Sequence, residues 1–233
     1  MFASMNIEPI AYFRSSFPTK FGIPRQSGIV DELCGTIVFE PKYRNPDALR
    51  GLDGFDYLWL IWEFSANKKE GNAGWHPTVR PPLLGGNKAM GVFATRSPFR
   101  PNALGLSSVK IESIEETIAD GVVIHVRGAD LMDGTPIFDI KPYIAYADSH
   151  PDAHSGFVDE KPWQPLVVNI PSEICSQLPE ALLSALKKVL ELDPRPQYHN
   201  DPEKVYGMPF EAYDVQFRVS AENVLTVVAL HHL

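Results

Sequence analysis

Along most of the chain the apolar side chains recur at every second residue, in short runs closed by proline, glycine or polar pairs. A period of two sends alternate side chains to opposite faces, so each run reads as a β-strand with one buried face. Residues 7–15 and the β-branched run 35–40 open the series, followed by one helical turn that ends on Gly51. Residues 55–64, FDYLWLIWEF, are the most apolar stretch, rich in aromatic and branched side chains and short enough for a buried strand. Residues 75–84 show no regular pattern, and 90–95 read as a strand-like piece. Residues 106–114 alternate and end in acids, and 121–126 pair with them across a turn at 115–120. Asp133 and Gly134 signal a tight turn, from which Thr135 and Pro136 lead into a strand at 137–144.

The pattern then changes. Residues 147–163, ADSHPDAHSGFVDEKPW, are polar and predict a boundary. Beyond them Ser172 caps a helix in which Leu178, Leu182, Leu183, Leu186, Val189 and Leu190 recur at helical spacing up to Asp193 and Pro194. Residues 213–219 and 223–230 alternate as a hairpin about 220–222. The expected organisation is a mainly β domain over residues 1–150 and a small α+β C-terminal domain over 165–233. Twenty-one prolines and sixteen glycines fit short strands with long connections, not a helical protein.

Composition narrows this reading without redirecting it. With 233 residues, 44% hydrophobic and 21% charged, the chain has the make-up of a soluble globular protein. No apolar run approaches the ~18 residues of a membrane span, and the N-terminus lacks the basic and apolar regions of a secretory signal. A cytoplasmic protein with no membrane partner is expected. Cys34 and Cys175 have neither CxxC nor Cys/His spacing and read as small buried hydrophobes, with no disulfide and no zinc. His150 and His154 with Asp148 and Asp152 resemble metal ligands, but without a second cluster they read as a solvated linker, so no metal is expected.

Charge changes the picture more. Between Gly71 and Ile111 there is no acid, while Arg80, Lys88, Arg96, Arg100 and Lys110 give that segment +5; the chain is −8 overall, so the remainder carries −13. Such segregation suits an anionic ligand or a polyanion, because local potential steers binding. At the centre lies RSPFRPN, residues 96–102, whose prolines exclude a helix interior or central strand. Arg96 and Arg100 therefore stand on a stiffened loop, either paired with nearby acids or offered to a carboxylate or phosphate. A second shaped loop, with Pro24 and Gly28, presents Arg25 and Gln26. Glu63 is either a solvated rim charge or a polar group facing a pocket. His125, between two valines, reads as a structural or surface residue. Asp139, Lys141 and Tyr143 share one strand face, which is either in water or lines a polar site. Residues 193–207 form a long loop with Arg195, Tyr198, His199 and Lys204, a mixture able to stack on bases and pair with phosphates.

The sequence has no GxGxxG opening a helix, P-loop, GxSxG or HExxH, so a nucleotide-like cofactor is not held by a doubly wound sheet. Four motifs in order, FGIPRQSG at 21–28, RPP with LGGN at 80–87, GVFATRSPFRPNALGLS at 91–107 and DGTPIFDIKPY at 133–143, resemble the TsaA/TrmO family of S-adenosylmethionine-dependent tRNA methyltransferases. DPRPQY and YDVQFRV resemble the family's small bacterial C-terminal domain. The resemblance implies an antiparallel β-barrel that binds S-adenosyl-L-methionine as a homodimer and methylates N6 of threonylcarbamoyladenosine beside the anticodon of tRNA. By matching motif, cofactor contacts fall on Pro24, Arg25, Gln26, Arg96, Leu106, Asp133, Gly134, Thr135 and Pro136. Where the family often has a histidine and an amide, this chain has Ser65 and Ala66, which offer backbone groups and one hydroxyl. Arg100, Asn102 and Lys141 are candidate contacts to the RNA substrate.

The chemistry is compatible with these assignments. Arg25 or Arg96 can pair with the cofactor carboxylate, Asp133 can accept from a ribose diol, and Leu106 offers an apolar wall to adenine. The attacking nitrogen is urea-like and a poor nucleophile until its proton leaves, which makes Asp139 and Tyr143 candidate bases. The alternative is a barrel that binds an adenosyl ligand or RNA without chemistry.

Overall fold

The computed structural model describes residues 6–67, 75–160, 164–195 and 201–233. Six strands close into a barrel: β1 (Ala11–Ser15), β2 (Cys34–Phe39), β3 (Tyr57–Glu63), β6 (Leu104–Thr117), β7 (Gly121–Arg127) and β8 (Thr135–Pro142). Their order is β1-β2-β7-β6-β3-β8, every pair antiparallel, with β8 returning to β1. Closure removes the exposed edges that so many short strands would otherwise present. Inward residues of every strand meet in one core, which includes Phe13, Ile37, Leu58, Leu60, Trp62, Val109, Ile124 and Ile137. The antiparallel barrel expected from the resemblance is therefore present.

β3 is less buried than its composition implies. Leu58, Leu60 and Trp62 point inward, while Tyr57, Trp59, Ile61 and Glu63 face outward and are only partly covered. The strand-like piece expected at 90–95 is a correction: only β5 (Met90–Gly91) pairs, with β4 (Thr78–Val79), and Val92–Ala94 is a 3-10 turn. β6 is longer than expected at fourteen residues, because its outer end continues past the core as the partner of β7. Cys34 corrects a further expectation: it is exposed, and Cys175 is half-buried.

The C-terminal domain is a four-stranded sheet in the order β10 (Tyr206–Phe210), β11 (Tyr213–Val219), β12 (Val224–His232) and β9 (Val167–Asn169), the last parallel to β12. The hairpin expected at 213–230 is β11 and β12. The single helix expected from Ser172 is two helices, α2 (Ser172–Cys175) and α3 (Glu180–Glu191), which follow α1 (Ala145–Asp148). Each of the two begins directly after a proline, Pro171 or Pro179, and Ser172 makes no side-chain cap. Proline at 179 cannot continue a helix but starts one well.

A second core joins this sheet and α3 to the chain between β1 and β2. Phe17, Val30 and Leu33 are buried with Leu186, Val189, Met208, Phe210 and Phe217. The rings of Phe17 and Phe210 meet edge to face at 5.3 Å. Glu211 donates its backbone N–H to Ser16 O at 2.7 Å, and the Ser16 hydroxyl donates to the Glu211 carboxylate. The loop that presents Arg25 and Gln26 is thereby fastened at both ends.

Candidate functional site

A cavity of about 400 Å³ opens at the end of the barrel where β3 finishes and β6 and β8 begin. Four stretches of the chain form it, residues 20–26, 59–66, 95–106 and 130–135. The loop after β1 contributes Pro24, Arg25 and Gln26, the end of β3 gives Glu63, Ser65 and Ala66, the loop before β6 gives Arg96 and Arg100, and β6 gives Gly105 and Leu106. Asp130, Met132 and Thr135 close the far side. The floor is apolar and aromatic, with Trp59, Trp62 and Phe64, and the rim is basic, with four cations against the two acids Glu63 and Asp130. That volume and the mixture of apolar wall and converging donors suit a small organic ligand with an anionic end.

Local interactions fix the lining. Arg96 donates to the Gln26 side chain, tying the two loops together across the cavity. Arg100 donates through Nη1 to the carbonyls of Thr95 at 3.1 Å and Ser97 at 3.2 Å, so one of its two terminal nitrogens braces its own loop. Trp62 lies directly over Gly105, its register partner, and a Cβ built at Gly105 would meet the indole at 2.2 Å. Only glycine there leaves the ring flat against the wall. The indole Nε1 donates to Ser107 Oγ at 2.9 Å, and Ser107 Oγ donates to Asp130 Oδ1 at 2.5 Å. Burial pushes the Asp130 carboxyl above the usual carboxylate range, against the opposing pull of Ser107, of backbone amides and of the Arg96 charge.

Of the expected cofactor residues, Pro24, Arg25, Gln26, Ser65, Ala66, Arg96, Leu106 and Thr135 line this cavity. Asp133, Gly134 and Pro136 stand beside it. Asp133 Oδ1 accepts the Ser15 N–H at 3.0 Å, and Gly134 takes φ 73° at the third position of a turn closed by Thr135 N–H to Met132 O at 3.2 Å. That turn aims Thr135 inward. Of the substrate candidates Arg100 lines the cavity, while Asn102 and Lys141 are exposed outside it. Asp139, Lys141 and Tyr143 do share a face, the outer one: Lys141 Nζ lies 3.0 Å from Asp139 Oδ2, and the Tyr143 ring packs on Tyr57 and Trp59. None of the three lines the cavity.

Sequence reasoning left the place of Glu63 open, and it lines the cavity. Trp62, Ser107 and Asp130 were missed, since only contacts across 23 and 45 residues bring them together. Elsewhere, His125 bridges Thr36 and Glu115 across the barrel wall, as a structural residue does. In the C-terminal loop Arg195 makes a two-pronged pair with Asp193 at 2.8 and 2.9 Å, and Lys204 sits over the Tyr206 ring. Tyr198 and His199 lie outside the described residues. Among the described residues no group of three or more His, Cys, Asp or Glu is placed to hold a metal ion, and no helix is long and apolar enough to cross a membrane.

Comparison with known proteins gives a consistent result. An Escherichia coli protein named tRNA (adenine(37)-N6)-methyltransferase is 39% identical over 227 residues, spanning 94% of both chains. A Pseudomonas aeruginosa protein, RcsF, provisionally named an S-adenosylmethionine-dependent methyltransferase, is 34% identical over 96% of each. The crystal structure of TrmO from P. aeruginosa superposes with a TM-score of 0.79 at 30% identity, covering 100% of this chain and 99% of that one. Residues 12–149 match the family model of the tRNA-methyltransferase O N-terminal domain and residues 164–233 that of the TrmO C-terminal domain, and the chain belongs to this family.

Proposed function

We propose that this protein transfers a methyl group from S-adenosylmethionine to N6 of the adenine at position 37 of tRNA, and that the base it acts on is threonylcarbamoyladenosine. The observation that carries this reading is the convergence of Arg25, Gln26, Ser65, Ala66, Arg96, Leu106 and Thr135 on one cavity in a chain similar to proteins named tRNA (adenine(37)-N6)-methyltransferase.

The lining fits the cofactor by its donor set. Arg25 and Arg96 offer planar forks to a carboxylate, Leu106 and Trp62 an apolar wall to an adenine, and Ser65, with the backbone at Ala66, short polar groups. When bound, S-adenosylmethionine supplies a methyl group on a sulfonium sulfur, open to in-line attack. The chain's part is to hold two reactants in line, which is worth several orders of magnitude without covalent chemistry. Gln26 holds Arg96 in place, Pro24 limits the freedom of its loop, and the turn at 132–135 sets Thr135 against the cavity. Asp139 and Tyr143 on the adjacent outer face, with Arg100, Asn102 and Lys141, are candidates for contact with the anticodon loop, whose phosphates the basic segment attracts.

A homodimer completes this reading. Leu106 in the cavity is 56% exposed and Phe93 and Phe99 on the loop before β6 are 75% and 45% exposed, apolar side chains that a second copy would cover. The division into residues 1–150 and 165–233 is supported by the two family ranges and by the separate barrel and four-stranded sheet, although the loop after β1 packs into the core of the second. A cytoplasmic location follows from the tRNA substrate.

Incubation with methyl-labelled cofactor tests the reading, using tRNA with and without threonylcarbamoylation at position 37. Label on one adenosine of the modified tRNA alone is the expected result. Label in both tRNAs would overturn the choice of base, and binding of cofactor without product would favour a non-catalytic barrel.

A further inference from the structure

Removing the N6 proton needs an acceptor within reach of the cavity, and the expected candidates do not provide one there. Asp139 is paired with Lys141 on the outer barrel face, and neither it nor Tyr143 lines the cavity. Asp130 does. Its carboxylate accepts the Ser107 hydroxyl from β6 at 2.5 Å, and nearby backbone amides at Ser27 and Asp130 favour its charged form. Ser107 in turn accepts from Trp62 Nε1 on β3 at 2.9 Å. This line of donors fixes an acid in the wall between the Gln26 loop and Gly105, beside the position that Arg96 and Gln26 define. The charged groups facing it are Arg96, whose charge reaches it, and Lys20, Arg25, Arg100 and Glu63 around the same cavity.

We propose that Asp130 takes the proton from N6 during methyl transfer and that Ser107 is the residue that positions it. The inference rests on the functional reading above. In the step, the N6–H bond breaks and its proton goes to an Asp130 oxygen. The nitrogen's electron pair forms the bond to the methyl carbon while the carbon–sulfur bond breaks and its pair goes to sulfur. The sulfonium charge is discharged, the carboxylate becomes a carboxylic acid, and that acid returns its proton to water. Burial makes Asp130 a stronger base than an exposed aspartate, which general base catalysis rewards.

The test compares wild type, D130N and S107A on threonylcarbamoylated tRNA through the pH dependence of kcat/KM, with cofactor affinity by calorimetry and thermal midpoints against pH. The wild type should show an acid limb above the ordinary carboxylate range. D130N should bind the cofactor as wild type does, lose about 10²–10⁴-fold in kcat and lose the limb. S107A should stay active with its limb moved to higher pH, because a donor to the ionised carboxylate is gone. Because its folded value is raised, Asp130 should make the wild type lose stability as pH rises through that value, and D130N should not. An active wild type beside a folded D130N of equal kcat and equal profile would overturn this inference alone. If D130N fails to fold, an S107A limb that does not move overturns it. A wild type without turnover overturns the functional reading and this inference with it.

Discussion

The two loops that face each other across the cavity are held by opposite means. The loop after β1 is fixed by apolar burial: Phe17, Val30 and Leu33 are each 3% exposed or less, and Gly22, at φ 89°, lies so close to Met208 that a Cβ would meet its sulfur at 2.3 Å. The loop before β6 buries little beyond Val92 and is held by hydrogen bonds, from Arg100 to two carbonyls, from Ser97 and Phe99 N–H to the hydroxyls of Thr95 and Ser97, from His76 N–H to Phe99 O at 3.1 Å and from Arg96 to the Gln26 side chain. The difference assigns different roles. The first wall is set by the folding of the C-terminal domain, while the second is a local clamp whose charge can be altered at little cost to the fold.

Substitutions on the two sides should therefore separate stability from binding. Phe17→Ala removes a ring from the joint core and should cost about 3–5 kcal/mol in denaturant unfolding, with weaker cofactor binding as Arg25 and Gln26 lose their anchor. Unchanged affinity in the folded variant would show that the anchor does not set the first wall. Arg96→Ala should leave the unfolding midpoint in place and weaken cofactor binding by about 1.5–3 kcal/mol, the range for a hydrogen bond to a charged group. A large drop in stability would mean that this arginine belongs to the fold and not to the ligand. Gly105→Ala forces Trp62 off the wall and should cost about 1–3 kcal/mol, with a change in tryptophan fluorescence.

The smallest effect should come from Asp120, which pairs with Arg14 at 2.6 Å on the barrel surface. Hydrogen bonding to Arg14 holds the Asp120 carboxyl below the usual carboxylate range. Its folded value is thus below its unfolded one, so its contribution is present above the ordinary range and is lost as pH falls through the depressed value. Asp120→Asn should lower the thermal midpoint slightly at neutral pH, and the difference from wild type should vanish in acid.

Most strands of the first domain were legible because they alternate and their turns carry Gly or Asp-Gly, while their closure into a barrel was an expectation that only the family resemblance carried. β10 was not legible: Gly207 and Pro209 weaken a strand signal, and Tyr206–Phe210 is held by pairing with β11 and by the burial of Tyr206, Met208 and Phe210. β9 has three residues, too few for any period to register. At the site Arg96 and Arg100 were visible from the acid-free segment around them, and Arg25 from the shaped loop between Pro24 and Gly28. Asp130 was not, because between Ala129 and Leu131 a lone aspartate reads as part of a turn, and its environment comes from Ser27 and Ser107. Local pattern reveals which groups are placed on loops, while burial and long-range partners decide what those groups can do.

A crystal structure grown with S-adenosylhomocysteine, the demethylated cofactor, would show whether the cavity is the cofactor site. Density is expected between the two loops, with the carboxylate against Arg25 or Arg96 and the adenine against Leu106. Ligand bound elsewhere on the chain, or a cavity left empty at saturating ligand, would contradict that placement.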